Sequence, residues 1–253
     1  GRVFRASRGG VAVSAASGGP KRGVPGAKVE RASVFERLDT EKVTHTAGGP
    51  TVWLMLLNHM SANHLKLPDL RMVVCGGSAM PRSMIKAFID MGIGARHAWG
   101  MTEMSPIGTL AALKPPFDKL EGDDRLDVLQ TQGYPPFGVE MKITDDAGNK
   151  LPWDGKTFGR LKVRGPSVSA AYYRVDTDIL DEEGYFDTGD VATIDKHGYM
   201  RITDRSKDVI KSGGEWISSI DLENLAVGHP KVAEAAVIGV YHPKWDERPL
   251  LIV

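Results

Sequence analysis

The residues best suited to chemistry lie between Gly184 and Trp216, in GYFDTGDVATIDKHGYMRITDRSKDVIKSGGEW. Asp190 follows Gly189 at the mouth of a β-branched apolar run, Val191 to Ile194. A carboxylate in that place can accept hydrogen bonds from a vicinal diol, as nucleotide-binding folds do with ribose. Asp195-Lys196-His197-Gly198 is turn chemistry, and Tyr199 to Thr203 reads as a second strand. Charge then becomes dense, with Asp204, Arg205, Lys207, Asp208 and Lys211, and Ser212-Gly213-Gly214 offers a backbone that a ligand can approach closely. One acid, several cations and a glycine pair suit an anionic nucleotide and a second, thin substrate. The plainer alternative is a solvated hairpin followed by a charged linker.

A second candidate block is Ala98-Trp99-Gly100-Met101-Thr102-Glu103. Thr102 offers a hydroxyl to a phosphate oxygen, and Glu103 a hard oxygen ligand for Mg²⁺. Trp99 is a flat wall suited to stacking on a purine. The alternatives are a helix cap for Thr102, a solvated first-turn acid for Glu103 and core packing for Trp99. Gly76-Gly77-Ser78 follows the run Arg71 to Cys75, and its glycines permit close approach to a purine or acyl group, or simply a tight turn.

The elements that must position these residues alternate. Ala32 to Asp39 reads as a short helix, Lys42 to Thr46 as a strand, and Val52 to Met60 as a nearly all-apolar helix started at Pro50. Arg71 to Cys75 is a buried strand, Pro81 starts a helix reaching Met91, and Ala95 to Trp99 is the next strand. Such alternation predicts a parallel α/β sheet, in which ligands bind beyond the carboxyl ends of strands. Gly76-Gly77-Ser78 and Gly100-Met101-Thr102-Glu103 both fall at that end. Past Lys114 the pattern changes. Glu121 to Asp127 reads as an acidic surface connection. Val139 to Thr144, Gly159 to Arg164, Val191 to Ile194 and Tyr199 to Thr203 read as short antiparallel strands of a small barrel-like subdomain. After Asp204 a small α+β domain begins: Ser218 and Asp221 have capping-box spacing for a helix to Val227, and Val232 to Val240 reads as a strand. The expected organisation is α/β: a partial α/β nucleotide- and acyl-binding subdomain over 1–127, a β-barrel-like subdomain over 128–203 and an incomplete C-terminal lid over 204–253.

Composition narrows the field. The 253 residues carry no net formal charge, so no global field attracts nucleic acid or a membrane. The longest apolar run, Val52 to Leu57, is too short to span a bilayer. A single cysteine, Cys75, excludes an internal disulfide framework and reads as a buried small hydrophobe. A reducing cytoplasm is the default compartment. The seven histidines show no metal-ligand spacing; His45 and His97 end strands and can face a site, although structural histidines are commoner. Residues 1–28 differ, with seven glycines, six Arg or Lys and no acid until Glu30. That is the composition of an organelle transit peptide, while Ser17-Gly18-Gly19-Pro20-Lys21-Arg22-Gly23 also invites reading as a phosphate-cradling loop.

YFDTGD followed by ITDRSKDVIKSGGEWIS resembles the late core motifs of the adenylate-forming acyl-CoA synthetases, a superfamily that includes fatty-acyl-CoA ligases, firefly-type luciferases and the adenylation domains of peptide synthetases. Ala98 to Glu103 resembles the same superfamily's aromatic-Gly-x-Thr-Glu motif. Two long motifs in the right order, about 85 residues apart, are far more specific than either alone. KSGGEWIS and AWGMTEMSP look closest to medium- and long-chain fatty-acyl-CoA ligases and to ligases for 3-methylmercaptopropionate.

The resemblance implies a ligase that uses ATP, Mg²⁺ and CoA to make an acyl-adenylate and then an acyl-CoA, releasing pyrophosphate and AMP. By the same resemblance Thr102 and Glu103 serve phosphate and Mg²⁺, and Asp190 and Arg205 hold the ribose. Gly76, Gly77, Ser78, Ala98, Trp99, Gly100 and Met101 complete the ATP/AMP site. Lys207 is the hinge between large and small domains, and Lys211 approaches the adenylate phosphate in the thioester-forming state. Gly213, Gly214 and Trp216 line the pantetheine path. For Arg205 the alternative is an ion pair with Asp204 or Asp208, and for each lysine a solvated loop charge. The expected partners are small molecules, the carboxylic acid, ATP and CoA, with no nucleic acid and no integral membrane segment; a homodimer is compatible.

Val3-Phe4-Arg5-Ala6-Ser7 falls where acyl-CoA ligases usually read Phe-His with a Trp soon after, so the acyl gate departs from the pattern. Peptide-synthetase domains place an Asp after that Phe, and Arg5 stands there instead. A luciferase-like oxidase would share every motif, and a rival of another class is a non-catalytic nucleotide-binding protein. The family's phosphate loop and its C-terminal catalytic lysine have no counterpart within the 253 residues, so the chain reads as a fragment expected not to adenylate an acid by itself.

Overall fold

The computed structural model describes residues 31–115, 117–205, 209–213, 215–229 and 231–253, with no side chains described at 31, 32, 215 and 216. The chain divides into two compact units, Gly1–Gly133 and Tyr134–Val253.

The first unit is the expected parallel α/β layer. Strands β1 (His45–Gly48), β2 (Met72–Gly76) and β3 (Gly94–Gly100) run parallel, and β4 (Ile107–Leu110) closes the sheet antiparallel to β3. Helices α1 (Arg31–Thr40), α2 (Pro50–Ala62) and α3 (Arg82–Asp90) alternate with the strands. Pro50 begins α2, where its missing N–H costs no helical bond. Trp53, Leu56 and Met60 of α2 and Met84, Ile85 and Phe88 of α3 are buried with Val73, Cys75 and Ala95 of the strands. Trp53 meets Phe88 edge to face at 6.3 Å, and its indole N–H donates to the Val74 carbonyl at 3.2 Å, fixing α2 on β2.

Two local expectations are corrected. Lys42 takes a left-handed φ of 50°, so the first strand starts at His45 and not at Lys42. The acidic stretch is not a surface connection but the start of α4 (Gly122–Gln130). Asp123 and Asp124 occupy its first turn, where negative charge favours the helix dipole, while Leu126 and Leu129 are buried. Arg82 of α3 binds Asp123 at 2.8 Å and also Asp127, tying the two helices together. Strand β4 was not foreseen.

In the second unit β5 (Glu140–Thr144), β6 (Gly159–Arg164), β7 (Phe186–Ile194) and β8 (Met200–Arg205) form an antiparallel meander. Its order is β5-β6-β7-β8, so among the described residues it is an open sheet and not a closed barrel. Turns fall at Asp145 and Asp195, where Gly148 and Gly198 donate to the aspartate carbonyls at 3.1 and 2.9 Å. A second sheet, ordered β10-β9-β12-β11, is made of β9 (Ile210–Ser212), β10 (Glu215–Ile217), β11 (Ala236–His242) and β12 (Asp246–Ile252). Helix α5 (Ser219–Val227) starts as expected: the Ser218 hydroxyl accepts from the Asp221 N–H at 3.1 Å. The strand expected from Val232 begins at Ala236, because Val232 still donates to the His229 carbonyl in the turn after α5.

Candidate functional site

The first unit brings two of the expected loops together. Gly76 and Ala98 are register partners on parallel β2 and β3, so Gly76-Gly77-Ser78 and Ala98 to Glu103 leave the sheet side by side at its carboxyl edge. That edge is where open α/β sheets hold ligands. The two glycines answer different demands. A Cβ on Gly76 would stand 3.2 Å from the Ala98 carbonyl oxygen, whereas Gly77 has a φ of 96° that side chains disfavour.

In the second loop, Gly100 has no room for a side chain, since a Cβ would overlap the Pro106 carbonyl oxygen. Trp99 is half-buried, and its ring covers Gly108 on β4. Its indole therefore packs within the unit on that side, as the core alternative required. Met101 is extended, with φ −147°, and the chain then makes the short 3-10 turn Thr102–Met104. Met104 is buried and anchors it, while Thr102 is exposed and Glu103 half-buried. Ser105, left-handed at φ 58°, closes the turn by donating to the Thr102 carbonyl at 3.3 Å. The capping position belongs to Met101, which makes no side-chain cap, so Thr102 is not a helix cap. Thr102 and Glu103 stand just past the carboxyl end of β3. Among the described residues no three or more His, Cys, Asp or Glu gather as a protein-only metal cage. A single carboxylate such as that of Glu103 would be compatible with Mg²⁺, which takes few protein ligands beside substrate phosphates.

The same unit disposes of two other candidates. Cys75 is buried, and burial pushes its thiol up to about 12, so it is not a nucleophile. His97 is buried and lies 3.2 Å, through Nδ1, from the Gln130 carbonyl at the end of α4. Burial lowers its pKa, opposed by hydrogen bonds to the backbone of Gln130 and Ser78. It is therefore a brace between α4 and the glycine loop. His45 is exposed and meets Thr44 at 2.9 Å.

The second unit carries the other pair. Asp190 on β7 and Arg205 on β8 are antiparallel register partners. Gly189 has a φ of 74° and donates to the Asp187 carboxylate at 3.0 Å; Asp190 donates from its backbone to the Thr188 hydroxyl at 3.2 Å. The Thr188 hydroxyl itself donates to the Leu161 carbonyl at 2.9 Å, so the approach to Asp190 is held against β6. Asp190 is half-buried and Arg205 exposed. Asp204, foreseen only as a charge in a loop, is buried at 4% exposure. Its Oδ1 accepts from the Arg205 N–H at 2.8 Å, and its Oδ2 from the Ser219 N–H at 3.1 Å and the Ser219 hydroxyl at 2.6 Å.

Further along, Lys211 is exposed on β9 and faces Trp216 on β10 in register; its backbone N–H donates to Glu247 Oε2 at 2.8 Å. Gly213, at φ 61°, donates to the Trp245 carbonyl at 2.8 Å, and a Cβ there would meet the Trp245 ring at 2.7 Å. Trp245 escaped the sequence reading because it is far from the motif in the chain. Lys207, Gly214 and the side chain of Trp216 lie outside the described residues, as do Val3 to Ser7 and Ser17 to Gly23. The four residues expected around one adenylate thus fall as two pairs, Thr102 with Glu103 on the first unit and Asp190 with Arg205 on the second.

Known proteins resemble this chain. The chain is 49% identical over 251 residues to a 3-methylmercaptopropionyl-CoA ligase of Ruegeria lacuscaerulensis, covering 99% of this chain and 47% of that protein. It is 46% identical over 251 residues to a medium-chain-fatty-acid–CoA ligase of Ectopseudomonas oleovorans, covering 99% of this chain and 46% of that protein. The chain therefore spans about half the length of the curated relatives it matches. Among solved structures it resembles the anthranilate CoA ligase AuaEII in complex with anthranoyl-AMP, with TM-score 0.75 and 26% identity over 90% of this chain and 42% of that one. It also resembles the o-succinylbenzoate CoA synthetase of Bacillus subtilis in complex with its acyl-adenylate intermediate, with TM-score 0.73 and 27% identity over 88% of this chain and 43% of that one. Residues 221–253 match the model of the AMP-binding enzyme C-terminal domain. Residues 4–173 match the model described as AMP-binding enzyme, and the chain belongs to that family.

Proposed function

We propose that this chain is part of an ATP-dependent acyl-CoA ligase acting on a fatty acid. The carboxylate of the acid attacks the α-phosphate of ATP, forming an acyl-adenylate and releasing pyrophosphate. The CoA thiol then displaces AMP and leaves an acyl-CoA. The observation that carries this reading is a match at 46% identity along 99% of this chain to about half of a fatty-acid–CoA ligase. The juxtaposed loops at the carboxyl edge of β2 and β3 give the physical support.

In this reading Gly76 to Ser78 and Ala98 to Met101 accommodate the nucleotide and the acyl group. The Thr102 hydroxyl donates to a phosphate oxygen, where charge accumulates during transfer. Glu103 holds Mg²⁺, whose contribution is to neutralise phosphate charge. Asp190 accepts from the ribose hydroxyls, and Arg205 stands beside it. Lys211 reaches the adenylate phosphate during thioester formation, with Gly213, Gly214 and Trp216 along the pantetheine path and Lys207 as the hinge. Residues 204–253 begin a lid domain. The second reading is 3-methylmercaptopropionate as the acid, favoured by 49% and 47% identity to two ligases for it.

The test is AMP release by the full-length protein with ATP, Mg²⁺ and CoA and a panel of octanoate, palmitate and 3-methylmercaptopropionate. Preference for octanoate or palmitate supports the first reading, and preference for the thioether acid the second. Nucleotide binding without AMP release on any acid would leave a non-catalytic nucleotide-binding protein.

A further inference from the structure

The Asp204 carboxylate is the most heavily used buried acid that the proposed chemistry leaves unassigned. It sits at the end of β8, immediately before Arg205, and is 4% exposed. Burying a carboxylate is costly unless its oxygens are hydrogen-bonded. Three donors answer it, the Arg205 N–H on one oxygen and the Ser219 N–H and hydroxyl on the other. One residue earlier on each strand of the chain, the Ser218 hydroxyl donates to the Thr203 carbonyl at 2.5 Å. The start of α5 is thus stitched to Thr203 and Asp204 of β8, across the stretch that carries β9 and β10. Ser218 caps α5 by accepting from the Asp221 N–H, and Asp204 answers the Ser219 N–H, a second unpaired donor of that first turn; the bonds from the Ser219 hydroxyl and the Arg205 N–H go beyond capping.

We propose that Asp204, with Ser219, is a positioning residue for the nucleotide site: it fixes the backbone of Arg205 opposite Asp190 through a carboxylate braced from α5. The inference rests on the reading of Arg205 as a nucleotide-contacting residue. The geometry is specific. Asn in place of Asp204 keeps the shape but gives one oxygen where two are used, and its amide NH₂ presents donors to the donors it faces. A mispositioned Arg205 loses nucleotide affinity even though no nucleotide contact has been removed.

The test is AMP affinity, by titration calorimetry on the full-length protein, in a double-mutant cycle of Asp204→Asn with Arg205→Ala. Each single variant is expected to weaken AMP binding about tenfold, and the double variant no more than Arg205→Ala alone. Such non-additivity shows that Asp204 acts through Arg205; a merely structural role would lower thermal stability and add to the loss. Ser219→Ala, which removes only the hydroxyl, covers the case of an Asp204→Asn chain that does not fold, and is expected to weaken AMP about threefold. Additive losses, or an Asp204→Asn or Ser219→Ala chain with unchanged AMP affinity, overturn the positioning role alone. An Arg205→Ala chain that binds AMP normally overturns the reading of Arg205 itself, and the positioning role with it.

Discussion

Asp190 and Arg205 stand directly opposite each other on neighbouring antiparallel strands, although fifteen positions of sequence numbering separate them. The β7–β8 hairpin therefore delivers an acceptor and a cation to one place at its open end. That pairing accounts for why YFDTGD and ITDR are spaced by a single hairpin, and it makes Asp190→Ala informative. On the proposed role of Asp190, its removal deletes a charge-assisted hydrogen bond to ribose worth about 1.5–3 kcal/mol, so AMP is expected to bind roughly ten- to a hundredfold more weakly. Calorimetric titration of AMP into the full-length variant checks this; the hairpin's cooperative melting should change little, because Asp190 is only half-buried.

Gly100 makes a second, steric prediction. A Cβ there would overlap the Pro106 carbonyl oxygen, so Gly100→Ala must shift the turn that presents Thr102 and Glu103. Overpacking of this kind costs about 1–3 kcal/mol. The expected result is a lower thermal midpoint together with a lower rate of pyrophosphate exchange, measured on one preparation of the full-length protein.

The core of the first unit gives a stability prediction independent of function. Phe88 is fully buried against Trp53. Phe88→Ala is expected to destabilise that unit by about 3–5 kcal/mol, read from denaturant midpoints at unchanged slope.

Burial holds the His97 imidazole below its ordinary value of 6.5. The unfolded chain then binds the proton more tightly than the folded one. The neutral ring's contribution to stability is fully present above pH 6.5 and is lost as pH falls through the lower folded value. A plot of thermal midpoint against pH should fall on acidification below pH 6.5, and His97→Gln should flatten that part of the curve.

Asp181 titrates in the opposite corner of the scale. Burial works against its charge, but the Tyr185 backbone, Lys142 and Lys162 bring its pKa down from 3.8 to about 2. Its stabilising share is therefore present above pH 3.8 and disappears as pH falls through about 2. Both lysines lie 3.1 Å from the same Oδ2, and Lys142 is only 7% exposed. Asp181→Asn leaves Lys142 short of a partner and should cost roughly 2 kcal/mol at neutral pH, less than for a fully buried pair because Asp181 keeps access to water.

Much of this fold is legible in the sequence, and its omissions have physical causes. The apolar run before Gly76 located β2, and Ala95 to Trp99 before Gly100 located β3, and with them the carboxyl edge of the sheet. Ser218 and Asp221 announced α5 through local capping chemistry. Helix α4 was hidden because its acids serve the helix terminus while its few apolar residues do the packing. Strands β4, β9 and β10 are three or four residues long and take their pairing from distant partners, which no local pattern records. The roles of Asp204 and Trp245 are equally non-local: each is defined by a contact, with Ser219 and Gly213, that only the folded chain brings about.

The proposed function turns on Thr102, Glu103, Asp190 and Arg205 each contacting the same bound adenylate, a proposal still to be tested. A crystal structure of the full-length protein with AMP and Mg²⁺ tests it most directly. The expected result places the ribose hydroxyls on the Asp190 carboxylate, with Arg205 beside them, and the phosphate on the Thr102 hydroxyl, with Mg²⁺ at Glu103. A nucleotide bound away from either pair, or touching one pair while the other faces solvent, would contradict the account.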